Sequence, residues 1–245
     1  LMSTVALLRA SVNAGVRRFI FCSSMSRYGN QTTPFDEYMN PKPADPYAYA
    51  KVAAEDIVRH MCDLYDMEYV IVVPHNIYGP NQRYYDPFRN VVGIMINRAL
   101  LGKSLIVYGD GRQVRSFSYI SDVTEPFLTM ATADATYVSG QVFNVGPDGE
   151  DNLTINDLAE LVRFATGKDC DIEHYPDRPR EVKYATCSCA KARAVLGYEP
   201  KVSFINGLLK YVKWVQEQGP REFEYHLPLE IVSDMTPKTW TEKLM

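Results

Sequence analysis

The chain has 245 residues, a formal net charge of −4, 46% hydrophobic and 23% charged residues. That length and apolar content suit one full domain with a smaller lobe. Net acidity with scattered Lys and Arg excludes an extended nucleic-acid surface, and no run of residues is long and apolar enough to span a bilayer. The five cysteines, Cys22, Cys62, Cys170, Cys187 and Cys189, are odd in number and dispersed, as reduced cytoplasmic thiols are. Cys187-x-Cys189 has no companion His or Cys pair at zinc-like spacing, so no metal site is expected.

A helix is predicted over 2–14, with Gly15 as a left-handed C-cap. A buried strand over 18–23 runs into the Ser-rich loop Ser23-Ser24-Met25-Ser26. Asp45-Pro46 opens a helix over 46–66: the carboxylate caps it, and Pro46 suits a first position where no amide hydrogen is needed. Val52, Ala53, Ile57, Met61 and Leu64 are read as its apolar face. Residues 68–73 are almost wholly apolar, as a strand covered on both faces is. A helix over 90–101, strands over 105–108 and 116–120, a helix over 121–133 and a strand over 141–145 follow. Thr154-x-x-Asp157 resembles a capping box and opens a helix stopping at Gly167. A strand over 170–175, helices over 188–196 and 204–217 and an extended tail after Gly219 complete the chain. The alternation predicts an α/β, doubly wound parallel sheet. Residues 1–80 and 113–148 are assigned to it, and 81–112 and 149–245 to a smaller α/β lobe.

Tyr47 and Lys51 lie four residues apart, so they share a helix face and address one small volume. A free phenol titrates near ~10, too high for an efficient base at neutral pH. A neighbouring cation favours the phenolate, which makes the pair a proton-transfer device for a carbinol. Ser23 and Ser24 fall at the carboxyl end of a parallel strand, where ligands of open sheets bind. The spacing alone also fits a solvated helix face, and Ser24 alone fits a loop serine capping the sheet.

Strand, loop serine, then capped helix with Tyr and Lys is the order of the short-chain dehydrogenase/reductase apparatus. Further segments follow in family order: Ala14-Gly15-Val16-Arg17-Arg18-Phe19, Asn76-Ile77-Tyr78-Gly79-Pro80, Gly109-Asp110-Gly111 with Gln113, Arg115 and Asp122-Val123, Phe143-Asn144-Val145-Gly146, Arg178-Pro179 and Leu196-Gly197-Tyr198-Glu199-Pro200. The chain resembles the extended branch of that superfamily, the NAD-dependent epimerase/dehydratase family, and within it the UDP-glucose 4-epimerase type. The resemblance implies a Rossmann-type domain, NAD as cofactor and a nucleotide-sugar substrate, with a UDP-sugar as the default. It also implies a cytoplasmic homodimer formed through helices 2–14 and 46–66.

Carried onto this sequence, the resemblance makes Tyr47 the base, Lys51 its partner and the holder of the nicotinamide ribose, and Ser24 the hydrogen-bond donor to the reacting oxygen. Ser23 and Pro74 join the cofactor site. Asn76, Arg115 and Arg178 would bind the sugar-nucleotide diphosphate, for which the planar guanidinium fork is suited. Tyr84 to Asn90 would pack over the base or belong to the core. Dehydratases of the family carry Thr-Asp-Glu where this chain has Ser24-Met25-Ser26, and decarboxylases keep a Glu at the third position. Met25 transfers no protons, so epimerisation is expected ahead of dehydration. A reductase, a decarboxylase and a non-catalytic binding module remain alternatives. The family's Gly-x-x-Gly-x-x-Gly turn is absent from these 245 residues. The sequence is therefore read as N-terminally truncated, and weak NAD binding and no activity are expected of this chain by itself.

Overall fold

The computed structural model describes residues 1–148, 152–178, 181–229, 231–234 and 236–245. It divides into two compact units: Leu1–His75, Ser116–Asp151 and Ala185–Lys201 form the first, and Asn76–Arg115, Asn152–Tyr184 and Val202–Met245 the second. Residues 185–201, expected in the smaller lobe, belong to the first unit. Cys189 explains the difference: its Sγ donates to Gly146 O at 3.3 Å and its amide to Asp148 Oδ1 at 2.8 Å, which holds helix Ala190–Leu196 beside strand Gln141–Val145. Pro179 and the lobe's expected start at residue 149 lie outside the described residues.

The first unit is built on a parallel sheet in which β2 (Glu68–Pro74) lies between β1 (Arg18–Cys22) and strand Gln141–Val145. The register sets Cys22 beside Val72, and Val73 beside Asn144. Val70 to Val73 are fully buried, as the unbroken apolar run requires. Helices α1 (Met2–Asn13) and α2 (Pro46–Leu64) cover β1, with Leu8, Phe19, Val58, Cys62 and Met67 as their shared core. Gly15 has φ +65°, the left-handed geometry expected after α1.

The inward face of α2 is not the predicted one. Ala48, Ala54, Glu55, Val58 and Cys62 are buried, Ile57 and Met61 flank them, and Leu64 is 64% exposed. The helix is turned because Glu55, a residue that apolar periodicity assigns to solvent, has partners inside.

In the second unit, strand Leu105–Tyr108 pairs in parallel with Ile172–Tyr175. Helices Val91–Leu100, Ile155–Thr166 and Phe204–Gln218 bury Val92, Met95 and Ile96, Leu158 and Val162, and Leu208, Tyr211 and Val215. Thr154 and Asp157 form the full capping box, and Gly167 closes that helix at φ 63°. The expected strand over 116–120 is two short ones, Val114–Ser116 and Ser118–Tyr119. The tail is fixed rather than merely extended. Asn97 and Arg221 exchange two hydrogen bonds, Arg98 Nη1 donates to Leu244 O at 2.8 Å, and Lys238–Thr241 forms a short helix. Phe88, half-buried, packs edge-on against Tyr225 and Trp240, and Tyr84, buried, against Trp214, so of these aromatics Tyr84 belongs to the core.

Candidate active site

Asp45 caps α2 by accepting from the Ala48 amide at 2.8 Å, with Pro46 in the first turn as predicted. This fixes Tyr47 and Lys51 at the helix start. Lys51 Nζ donates to the carbonyl oxygen of Cys22 at 2.8 Å, and lies 5.2 Å from the Phe21 ring centroid and 5.8 Å from that of Tyr47. The cation therefore bridges the carboxyl end of β1 and the Tyr47 ring. Tyr47 is 56% exposed, so the residue is not sealed in the core. Among the described residues the Cys22 carbonyl is the one hydrogen-bond acceptor of this ammonium, which carries three donors.

Ser24 begins a short 3₁₀ turn, Met25–Tyr28. Its Oγ accepts from the Ser26 amide at 3.3 Å and from Ser26 Oγ at 3.0 Å. As an acceptor of both, it keeps its own proton to donate. The structure thus makes Ser24 the cap of this turn rather than of the sheet end.

The neighbouring Ser23 is different. It is 3% exposed, and its hydroxyl donates to Glu55 in a short hydrogen bond. Pro74 is buried in β2. Beneath the Tyr47–Lys51 face, Glu55 is 0% exposed and pairs with Arg27 and Arg59, each at 3.3 Å. Tyr47, Lys51, Glu55 and Arg59 step along α2 four residues at a time, so the Tyr47–Lys51 pair and the buried carboxylate follow one strip of the helix. Arg27 belongs to the turn that Ser24 starts, so the Arg27–Glu55 pair ties this turn to α2. The sequence reading missed both residues. The four-residue spacing from Lys51 to Glu55 was available as a signal; the position of Arg27 was not.

Tyr28 is fully buried, donates to Asn144 Oδ1 at 2.8 Å and stacks on Phe35 at 5.0 Å. Burial holds its phenol well above the usual value, so it remains protonated and structural. Asn144 also donates to the carbonyls of Phe35 and Ser188, at 3.1 and 3.2 Å, and anchors the loop between β1 and α2 to the sheet end.

The remaining expected residues lie in the second unit. Asn76 is half-buried with φ 35°, a left-handed turn geometry that Asn tolerates. Arg115 and Arg178 meet on one carboxylate, Glu181, which the sequence reading did not single out. Burial lowers the Arg115 pKa and Glu181 opposes that shift. Among the described residues no group of three His, Cys, Asp or Glu side chains is placed to hold a metal ion, and no helix is long and apolar enough to cross a membrane.

A parallel sheet with a serine turn at its carboxyl end and a capped Tyr-x-x-x-Lys helix defines a Rossmann-type short-chain dehydrogenase/reductase. Residues 1–146 match the NAD dependent epimerase/dehydratase family, and the chain belongs to it. It is 32% identical over 222 residues to a UDP-glucose 4-epimerase of Mycolicibacterium smegmatis, covering 89% of this chain and 68% of that protein. It is 30% identical to a mouse dTDP-D-glucose 4,6-dehydratase, covering 87% of this chain and 60% of the relative. The fold is similar to that of a UDP-glucuronic acid 4-epimerase of Bacillus cereus solved with UDP-glucuronic acid and NAD. That match has a TM-score of 0.81 and 28% identity, and covers 89% of this chain and 67% of that one. The chain thus spans roughly 60–68% of the length of these two curated relatives.

The family's cofactor is NAD. The residues present fit one end of it: the exposed Tyr47 side chain and the Lys51 ammonium, fixed at the carboxyl end of β1, suit a nicotinamide ribose. No glycine-rich pyrophosphate turn occurs among the fourteen glycines of these 245 residues.

Proposed function

We propose that the protein epimerises C4 of a UDP-hexose, with UDP-glucose and UDP-galactose as the default pair. The observation that carries this reading is the Lys51 ammonium bridging the Cys22 carbonyl and the Tyr47 ring beside the Ser24 turn. NAD, when held by Tyr47 and Lys51, would supply a reversible hydride acceptor at the sugar carbinol, and inversion requires the oxidised sugar to turn its other face before the hydride comes back. Tyr47 takes the hydroxyl proton as that hydride leaves and gives it back on return. Lys51 holds the nicotinamide ribose and places positive charge by the phenol, and Ser24 donates to the reacting oxygen. Ser23 and Pro74 line the strand ends beside the cofactor, with the Ser23 hydroxyl already engaged by Glu55. In the second unit, Asn76, Arg115 and Arg178 bind the diphosphate.

The similarity to a dehydratase raises a second reading, water loss after oxidation. Ser24-Met25-Ser26 offers no carboxylic acid for that step, which favours simple inversion. We also propose a homodimer through α1 and α2, because Met2, Leu7 and Tyr49 are 83%, 58% and 62% exposed. A reducing, cytoplasmic setting suits the five free cysteines. The test is conversion of UDP-galactose to UDP-glucose, without added reductant, by the complete gene product containing this chain. Conversion lost in Tyr47→Phe supports the reading. Sugar-dependent net consumption of NADH, or release of CO₂, would replace it with a reductase or decarboxylase.

A further inference from the structure

Glu181 Oε1 accepts from Arg178 Nη2 at 2.5 Å and from Arg115 Nη2 at 3.2 Å, while its Oε2 accepts from Arg178 Nε at 3.3 Å. Arg178 therefore turns its Nε–Nη2 edge to the carboxylate, the same edge with which a guanidinium grips two phosphate oxygens. Arg115 is held from behind, its Nη1 donating to Val114 O at 2.9 Å and Lys183 O at 3.5 Å. The Arg115 and Glu181 side chains are 14% and 13% exposed, so the contact is shielded from water. Arg178 is backed by the Tyr108 ring, with Cζ 4.8 Å from the centroid, and the Tyr108 hydroxyl is itself bonded to Thr239.

We infer that Glu181 is a resident competitor for the diphosphate of the nucleotide sugar: its carboxylate occupies the guanidinium edges that the ligand takes, and binding displaces it. This rests on the reading of Arg115 and Arg178 as phosphate-binding residues. Two cations share one anion, so the free protein carries no unpaired buried guanidinium beside its partner, an arrangement that would be strongly unfavourable. The same arrangement makes the site selective. A monoanion gains nothing by replacing a carboxylate that is already bonded, whereas a diphosphate offers more charge and more oxygens to both arginines at once. Glu181 thereby raises the threshold for an anion to bind.

The experiment is calorimetric titration of the chain with UDP and with inorganic pyrophosphate. Wild type is compared with Glu181→Gln, Arg115→Ala and Arg178→Ala. Glu181→Gln keeps the shape and removes the charge, and both ligands should bind about tenfold tighter, the scale of one displaced charge-assisted hydrogen bond. The two arginine variants should bind both ligands more weakly. Unchanged or weaker binding by Glu181→Gln, with the arginine variants still impaired, overturns the competitor role. Arginine variants that bind normally overturn the phosphate-site reading and this inference with it. A second measurement needs no variant: the Arg178 Nε–H resonance of the wild-type chain should move when pyrophosphate saturates it, and a stationary signal refutes displacement.

Discussion

The Lys51 ammonium donates to the Cys22 carbonyl oxygen at 2.8 Å, which tethers α2 to the last residue of β1. The tether joins the helix that carries Tyr47 to the strand that runs into Ser24. The same ammonium lies 5.8 Å from the Tyr47 ring centroid, so one side chain touches both the strand end and the proposed base.

Replacing Lys51 by Met should keep the fold and remove the reaction. The stem remains to cover Phe21, but the charge beside Tyr47 and the donors for a ribose diol are gone. Turnover in the complete gene product is expected to fall by about 10²-fold or more, the scale of lost acid–base assistance. Circular dichroism and UDP-galactose conversion, measured together, separate loss of chemistry from loss of structure.

Glu55→Gln should destabilise the chain far more than a surface change. Glu55 is wholly buried, and Arg27, 3% exposed, would be left as an uncompensated charge. Breaking such a pair from one side costs about 3–5 kcal/mol. Urea unfolding followed by far-ultraviolet circular dichroism measures it; a change below about 1 kcal/mol would mean that the pair is not desolvated as the structure has it.

Stability should fall below pH 6.5 through His75. Burial lowers the pKa of this imidazole to about 3 in the folded chain, whereas in the unfolded chain it titrates near ~6.5. Between those values the unfolded state binds more protons, so stability decreases as pH drops from 6.5 toward 3, and this group has no effect above 6.5. His75→Gln should flatten the decline between pH 6.5 and 5 in a series of urea midpoints.

Gly111→Ala should disturb the turn that leads to Arg115. Gly111 has φ +72°, and an added Cβ would come within 1.9 Å of Asn156 Oδ1. Asn156 closes this turn by donating to Asp110 O at 2.9 Å and, through its amide, to Gly111 O at 3.1 Å. Left-handed strain and the clash together should cost at least ~1–2 kcal/mol, read as a lower melting temperature. UDP binding should weaken with it, if Arg115 serves as proposed.

Much of this organisation was legible in local chemistry. Asp45-Pro46 marked the start of α2, Thr154 and Asp157 the capping box, and the apolar run at 68–73 the central strand; each depends on neighbours within a few residues. That Tyr47 and Lys51 fall together at the start of α2, and Ser24 just past the end of β1, could be read for the same reason, since helix periodicity and a strand end fix those positions. Asn76, Arg115 and Arg178 were proposed as phosphate-binding only through resemblance, because nothing in their local sequence points to phosphate.

The sequence by itself determined the α/β alternation, the capped helix, the Tyr47–Lys51 pair and the family signature. Only tertiary structure decided which way α2 faces, because Glu55 is drawn inward by Ser23 and Arg27, residues 32 and 28 positions upstream that no periodicity connects to it. Tertiary structure likewise placed residues 185–201 against strand Gln141–Val145 and set Glu181 between Arg115 and Arg178. In each case the deciding interaction is a polar group removed from water, which must find its partner wherever the folded chain supplies one.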